Sequence, residues 1–405
     1  MRRSLFSAAL ACGVVASLSP LALADTPVSL DAKAQVDTLG PPDRVLFWTP
    51  AQQQASYPNM DRIFLTREIS RGDPKAHPAY PLPVERKDLS KVAFEVAGKR
   101  YTIADYVEHN RVAGLLVIHN GKIVHENYAL GHTAGAKWTS FSVAKSLTSM
   151  LVGAAIKDGY IKDVNDPVTT YLPVLKGTSY DGVTIRQVLQ MSSGVGWNED
   201  YTDPKSDVAR IGAVAAQGGS LGLVTYMGAL PRVAPAGSKF NYNTGETHLA
   251  GAIVRAAVGN NLSSYASQKI WSKFAMESNG FWMLADEYGA EHAGCCMSAT
   301  LRDYGRIGLL ALRKGVLADG TSILPENWMK DATSPSPSMP GYGYQWWLTG
   351  PGDYGARGIF GQSIQIYEPQ NAIIVTHSLW PTAQSKELSE LRRAFHEAVR
   401  DALSH

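Results

Sequence analysis

One stretch of this chain belongs inside whatever it folds into. From Ser142 to Lys157, the apolar residues Val143, Leu147, Met150, Leu151, Ala154 and Ala155 recur at helical spacing and leave little of the girth polar. Such a helix must be covered on most sides, which calls for layers of other elements packed around it. The candidates lie at both ends of the chain. Val92–Val96 and Lys99–Thr102 have the look of short strands, and Asn120-Gly121 between β-branched runs (115–126) is a strong hairpin signal. Late in the chain, 342–348, 358–367 and 372–377 are strand candidates, and 385–403 is an amphipathic helix. Between them lie helix candidates at 183–191, 206–216, 248–258 and 298–312. The expected class is α+β: one antiparallel sheet built from both chain ends and flanked by helices, with a helical subdomain inserted at roughly 155–335.

With 405 residues, 45% hydrophobic and 18% charged, the chain has an ordinary globular composition, enough for one large domain or two modest ones. A net charge of +2 gives no reason to expect a nucleic-acid partner, and no obligate protein partner is evident. Residues 1–24 read as a signal peptide: Arg2-Arg3, an apolar Leu5–Leu18, then Ala22-Leu23-Ala24 ahead of a cut before Asp25. An exported, periplasmic protein with one domain over 25–405 is expected, and no later stretch is long and apolar enough to span a bilayer. Residues 25–88 read as an irregular arm with one short helix. Beyond the signal, the only cysteines are the neighbours Cys295 and Cys296, whose simplest reading is two small buried side chains; a bond between them is the minor alternative. The histidines do not cluster as metal ligands, so neither metal nor cofactor is expected.

Chemistry enters at the mouth of the apolar helix. Ser142 and Lys145 form the one Ser-x-x-Lys of the chain, and one helical turn brings the amine beside the hydroxyl. With this serine and lysine content, about one or two such matches arise by chance, so the setting must carry the argument. Ser142 sits where free amides and the positive dipole end favour a developing anion. A buried Lys145 would fall below its ordinary pKa of about 10.4 and could accept the serine proton. The bland alternative is a helix-capping serine beside a solvated lysine. What shifts the balance is Pro235-Ala-Gly-Ser-Lys-Phe-Asn-Tyr242-Asn243-Thr244.

With those residues, the chain resembles the serine β-lactamase and penicillin-binding-protein superfamily, on its class C and esterase side. The segments Thr184-Ile-Arg-Gln-Val-Leu-Gln-Met-Ser-Ser-Gly and Tyr342-Gly-Tyr-Gln-Trp-Trp extend the likeness. Met60-Asp-Arg-Ile-Phe and Trp197-Asn-Glu-Asp-Tyr201 are most similar to the 6-aminohexanoate-dimer hydrolase branch. The resemblance implies a β-lactamase/transpeptidase-like fold and a serine hydrolase for a small amide or ester. In it Ser142 is acylated, while Lys145 and Tyr242 share its proton. It also implies an oxyanion hole from the amides of Ser142 and Ile359. Arg357, Gly358, Tyr201, Glu199 and Asp200 are then candidates for contacting substrate.

Two departures from the family pattern stand out. The asparagine after Tyr242 is one place early, at Asn243, with Thr244 in the usual position. The Lys-Thr-Gly motif is replaced by Ala356-Arg357-Gly358, which argues against a dedicated β-lactamase more than against a hydrolase. Tyr57-Pro58-Asn59 fits Tyr-x-Asn literally but lies in the arm and is discounted. Gly218-Gly-Ser220-Leu-Gly222 matches a nucleophile elbow, yet a helical run precedes it where a strand is required. Rival readings are a D,D-peptidase or β-lactamase, and a penicillin-recognising sensor that acylates without turnover.

Overall fold

The structure, a computed structural model, describes residues 38–217, 219–285 and 289–404; the expected signal at 1–24 lies outside them. Six strands form the main sheet: β1 (Val112–His119), β2 (Lys122–Tyr128), β3 (Trp347–Gly350), β4 (Asp353–Arg357), β5 (Ser363–Tyr367) and β6 (Ala372–Ser378). They lie in the order β2-β1-β6-β5-β4-β3, antiparallel throughout, so both ends of the described chain meet at the β1–β6 pairing. The Asn120-Gly121 turn closes the first hairpin with both residues at positive φ (51° and 74°), as a tight primed turn requires.

Side-chain alternation along β1 sorts the core into two layers. Leu116 and Ile118 pack under α1 (Val143–Lys157) together with residues of α2 (Thr244–Val258) and α3 (Leu301–Leu312), while Leu115 and Val117 pack under Leu391, Phe395 and Val399 of α4 (Lys386–Leu403). Every residue of α1 from Val143 to Ala155 is buried, which is the coverage its composition demanded. The architecture is α+β, an antiparallel sheet between helices. A second sheet joins Thr66–Ile69, Gly280–Met283, Met297–Ala299 and Trp138–Thr139, and it delivers the chain to both sides of the nucleophile.

Several element boundaries differ from expectation, each for a local reason. The strand expected over 342–348 begins only at Trp347, because Gln345 has φ 64° and Gly343 lies against the Ala332 carbonyl. The strand expected from 358 begins at Ser363, since Phe360 at φ 59° turns the chain out of extension. β4 was not anticipated: Asp-Tyr-Gly-Ala-Arg has no β-branched alternation, and pairing with β3 and β5 imposes the strand. The helix expected over 183–191 shrinks to Ile185–Leu189 between a Thr184 capping box and Met191 at φ 54°. The arm has its short helix, Pro50–Ser56, but also the strand Thr66–Ile69. Among the described residues, no helix is long and apolar enough to cross a membrane.

α3 approaches the sheet through glycines. A Cβ at Gly305 would stand 2.8 Å from Leu116 and Ile118, and one at Gly308 would stand 2.8 Å from Ile373. Gly305→Leu is therefore expected to overpack this contact and cost about 1–3 kcal/mol, read as a lower urea midpoint at unchanged slope.

Candidate active site

Ser142 occupies the residue just before α1, with φ −68° and ψ −2°, and its side chain does not cap the helix. The hydroxyl is thus free for chemistry. The preceding residue, Phe141, holds φ 42°, a conformation an aromatic residue adopts only when its surroundings impose it. Those surroundings are aromatic: Tyr57 lies 5.2 Å and Phe360 5.3 Å from the Phe141 ring, centroid to centroid. Tyr57, the literal Tyr-x-Asn match, is fully buried in this cluster as a packing residue.

Lys145 is 1% exposed, and its amine donates to Ser142 Oγ at 3.2 Å, Thr244 Oγ1 at 2.9 Å and the Gly294 carbonyl at 2.7 Å. Burial lowers its pKa to about 8, with the nearby Glu199 charge opposing the shift. An amine so held can exist uncharged near neutrality and accept the serine proton. The solvated-lysine alternative is excluded by the burial.

Tyr242 enters from the turn before α2. Its phenol lies beside Ser142, whose side chain eases the charged form, and Lys145 Nζ lies 5.3 Å from the ring centroid. Burial first, and Glu199 second, push the phenol above its usual range, so it stays protonated. Trp347 stacks on it at 5.7 Å. The displaced asparagine now has an explanation: the Asn243 side chain accepts from Glu246 N at 3.0 Å and caps α2, while Thr244 takes the amine.

Glu199 gathers donors from Trp197 Nε1, Tyr201 Oη (2.7 Å), Thr244 N (3.0 Å) and Thr244 Oγ1. It faces the cleft with Tyr201, whereas Asp200 does not: that residue is exposed and accepts from Thr202. The structure thus brings together all of the anticipated site residues except Asp200.

Opposite Ser142, β4 ends in Arg357, followed by Gly358 and Ile359. A Cβ on Gly358 would meet the Ser140 carbonyl at 2.4 Å, so this backbone contact requires glycine. Ser142 and Ile359 together border two cavities, of about 540 and 440 Å³. The first is the more polar of the two, with Tyr242, Arg357 and Arg392 on its walls; the second is apolar, and Cys295 and Cys296 form part of it. Those cysteines are bonded to each other, not separate thiols as the simplest reading had it; Cys296 at φ 65° turns the chain between them. Gly294 and Arg392 carry no local motif that marks them, and only tertiary contact reveals them. Thr244 had a signal, its place two residues after Tyr242. Ser220 lies in a 3₁₀ turn between the helices Asp207–Gln217 and Gly222–Ala229, without the preceding strand an elbow needs. Among the described residues, no group of acids, histidines and cysteines could hold a metal ion.

An antiparallel sheet between helices, with a serine and a buried lysine one helical turn apart, is the arrangement of β-lactamase/transpeptidase-like serine hydrolases. The beta-lactamase family model matches residues 100–395, and the chain belongs to that family. It is 28% identical over 352 residues to the 6-aminohexanoate-dimer hydrolase of Paenarthrobacter ureafaciens, covering 82% of this chain and 86% of that one. A solved structure from Bacillus anthracis, assigned as a 6-aminohexanoate-dimer hydrolase, superposes with a TM-score of 0.78 at 24% identity over 87% of this chain and 95% of that one. The octameric penicillin-binding protein homologue of Pyrococcus abyssi superposes with a TM-score of 0.60 at 16% identity, over 75% and 76% of the two chains.

Gly358→Val should push β4 away from Ser140 and displace the Ile359 amide. A drop of about a hundredfold in kcat/KM toward a short ester, together with a lowered thermal midpoint, is the expected result.

Proposed function

We propose that this protein is an exported serine hydrolase that cleaves an amide or ester of a small acyl substrate through an acyl-enzyme on Ser142. The observation that carries the reading is the convergence of Lys145 and Tyr242 on one hydroxyl. Neutral Lys145 takes the Ser142 proton as Oγ bonds to the carbonyl carbon. The oxyanion is met by the amides of Ser142 and Ile359. Tyr242, protonated because of its raised pKa, gives its proton to the departing nitrogen or oxygen, and Lys145 returns a proton to the phenolate. Water then cleaves the ester on Ser142 and restores the hydroxyl.

Export is supported by the charged and apolar stretches of residues 1–24. The resemblance to a 6-aminohexanoate-dimer hydrolase favours linear amides and esters over β-lactams. The absence of the usual motif lysine, whose place Ala356 takes with Arg357 only a partial substitute beside it, points the same way.

Ser142→Ala is expected to lower kcat toward a chromogenic short ester by on the order of 10⁴-fold or more. In the unaltered protein, acyl mass should appear on Ser142 and turnover should continue. One equivalent released and no more would mean a sensor, and an undiminished Ser142→Ala protein would end the proposal.

The base must be uncharged to act, so kcat/KM should rise with pH through about 8. Glu199 favours the ammonium form; Glu199→Gln should therefore move this limb to lower pH, visible in a rate profile from about pH 6 to about pH 10.

A further inference from the structure

The turn from His292 to Met297 takes no part in the reaction scheme, yet it touches the reacting groups from two sides. Its Gly294 carbonyl accepts from Lys145 Nζ at 2.7 Å. Its Cys296 amide donates at 3.4 Å to the carbonyl of Phe141, the residue before Ser142. Ser140 is bound to the same turn, through its amide to the Met297 carbonyl at 2.8 Å and through Oγ to the Met297 amide at 3.1 Å. One short loop thus holds both the base and the backbone that carries the nucleophile.

The approach of this loop to the base is close enough to require glycine. A Cβ on Gly294 would stand 2.8 Å from the Thr244 carbonyl and 3.2 Å from Lys145 Nζ. The next two residues are the bonded Cys295 and Cys296. Joining the side chains of neighbours closes a small ring through the peptide between them, so the backbone there loses torsional freedom. Cys296 sits at φ 65°, a left-handed conformation that a residue with a Cβ keeps only under constraint, and the ring supplies one. Around the ring, Trp282 Nε1 donates to the carbonyls of His292 and Cys295 at 3.0 Å each, and the Met283 amide to the Cys296 carbonyl at 3.0 Å. Gly294 is the link between the ring and the base.

The bond also borders open space. Both cysteines line the apolar chamber of about 440 Å³ that runs to Ser142, and Cys295 is the less buried of the two, Cys296 being 2% exposed. Resting on the acyl-transfer reading above, we infer that the Cys295–Cys296 bond positions the catalytic lysine through Gly294, and that its reduction by a dithiol slows the enzyme. A thiolate of the dithiol attacks Cys295 Sγ, the S–S bond breaks, and Cys296 leaves as a thiolate that takes up a proton. The second thiol then displaces Cys295 from the mixed disulfide. The reductant ends as its own disulfide, and two electrons and two protons have passed to the cysteines. Tyr242, kept protonated, and His292, kept uncharged by burial, face the amine without charge, which leaves Glu199 as the charged neighbour. The turn therefore acts through its carbonyl. A carbonyl that accepts from the amine favours the ammonium form, so its withdrawal eases loss of the proton while loosening the placement of the nitrogen.

The full protein, isolated in air, is compared before and after treatment with dithiothreitol, which is removed under nitrogen ahead of assay with para-nitrophenyl acetate. Alkylation by iodoacetamide, read as the mass of the peptide that bears both cysteines, reports the state of the bond. Reduction is expected to lower kcat about tenfold at nearly constant KM and to move the rising limb of kcat/KM to lower pH; reoxidation should restore both. The double variant Cys295→Ser with Cys296→Ser should behave as the reduced protein and no longer respond to the dithiol. Because that variant could fold poorly, reversible reduction of the unaltered protein provides an independent measure. Two alkylated cysteines before treatment, a bond that dithiothreitol does not open, a kcat that survives reduction, or a slower enzyme with its pH limb unmoved would overturn the inference and leave the Ser142 hydrolase intact. An oxidised protein that does not cleave the ester at all would instead strike the hydrolase reading, and the inference with it.

Discussion

The amine of Lys145 is the contact on which the site depends. It is buried in α1 and reaches oxygens from three separate segments: Ser142 one turn earlier, Thr244 at the start of α2 and the carbonyl of Gly294 on the loop leading to the second sheet. Burial alone would leave an amine with unspent donors, and three acceptors satisfy it without fixing its charge. Among the described residues one carboxylate, Glu199, acts on it electrostatically, and that carboxylate is shared with Thr244, Tyr201 and Trp197. The balance lets the amine shed its proton around pH 8, well below an ordinary lysine, which is the condition for a base.

Holding the partners in register needs rigidity on both sides of the cleft. Phe141 and Phe360 flank the nucleophile and Ile359, both at positive φ, and their rings pack on each other and on Tyr57. Strain next to Ser142 and strain next to Ile359 are thus secured by one aromatic cluster, to which the N-terminal arm contributes its tyrosine. Gly358 completes the arrangement by letting β4 touch the Ser140 backbone. The described part of the arm, from residue 38 on, thus helps support the machinery.

The departures from the family pattern turn out to be consistent with one another. Asn243 serves the helix and Thr244 the lysine, so a one-residue shift keeps both roles filled. The lysine of the motif gives way to Ala356, and the neighbouring Arg357 has a second arginine for company, Arg392, supplied by α4 from far along the chain. The chemistry at Ser142 and the recognition around it can therefore diverge separately, because the first rests on α1 and α2 and the second on β4, α4 and the arm.

Helical spacing sufficed to make Ser142–Lys145 neighbours and to bury α1, since both follow from geometry within a single turn and from the apolar girth of one helix. The Asn-Gly hairpin and the capped start of α4 were equally local and equally legible. β4 was not, because its residues take strand form only when β3 and β5 offer hydrogen bonds. Nor could local pattern reveal that Gly294 accepts from the lysine, that Asp200 faces away from the cleft, or that Arg392 borders it. What the amino-acid order determined by itself is the reacting pair and the layers around it, encoded over a few residues. The tertiary structure alone decided what surrounds that pair, because acceptors, cavities and unpaired charges arise where segments distant along the chain come into contact.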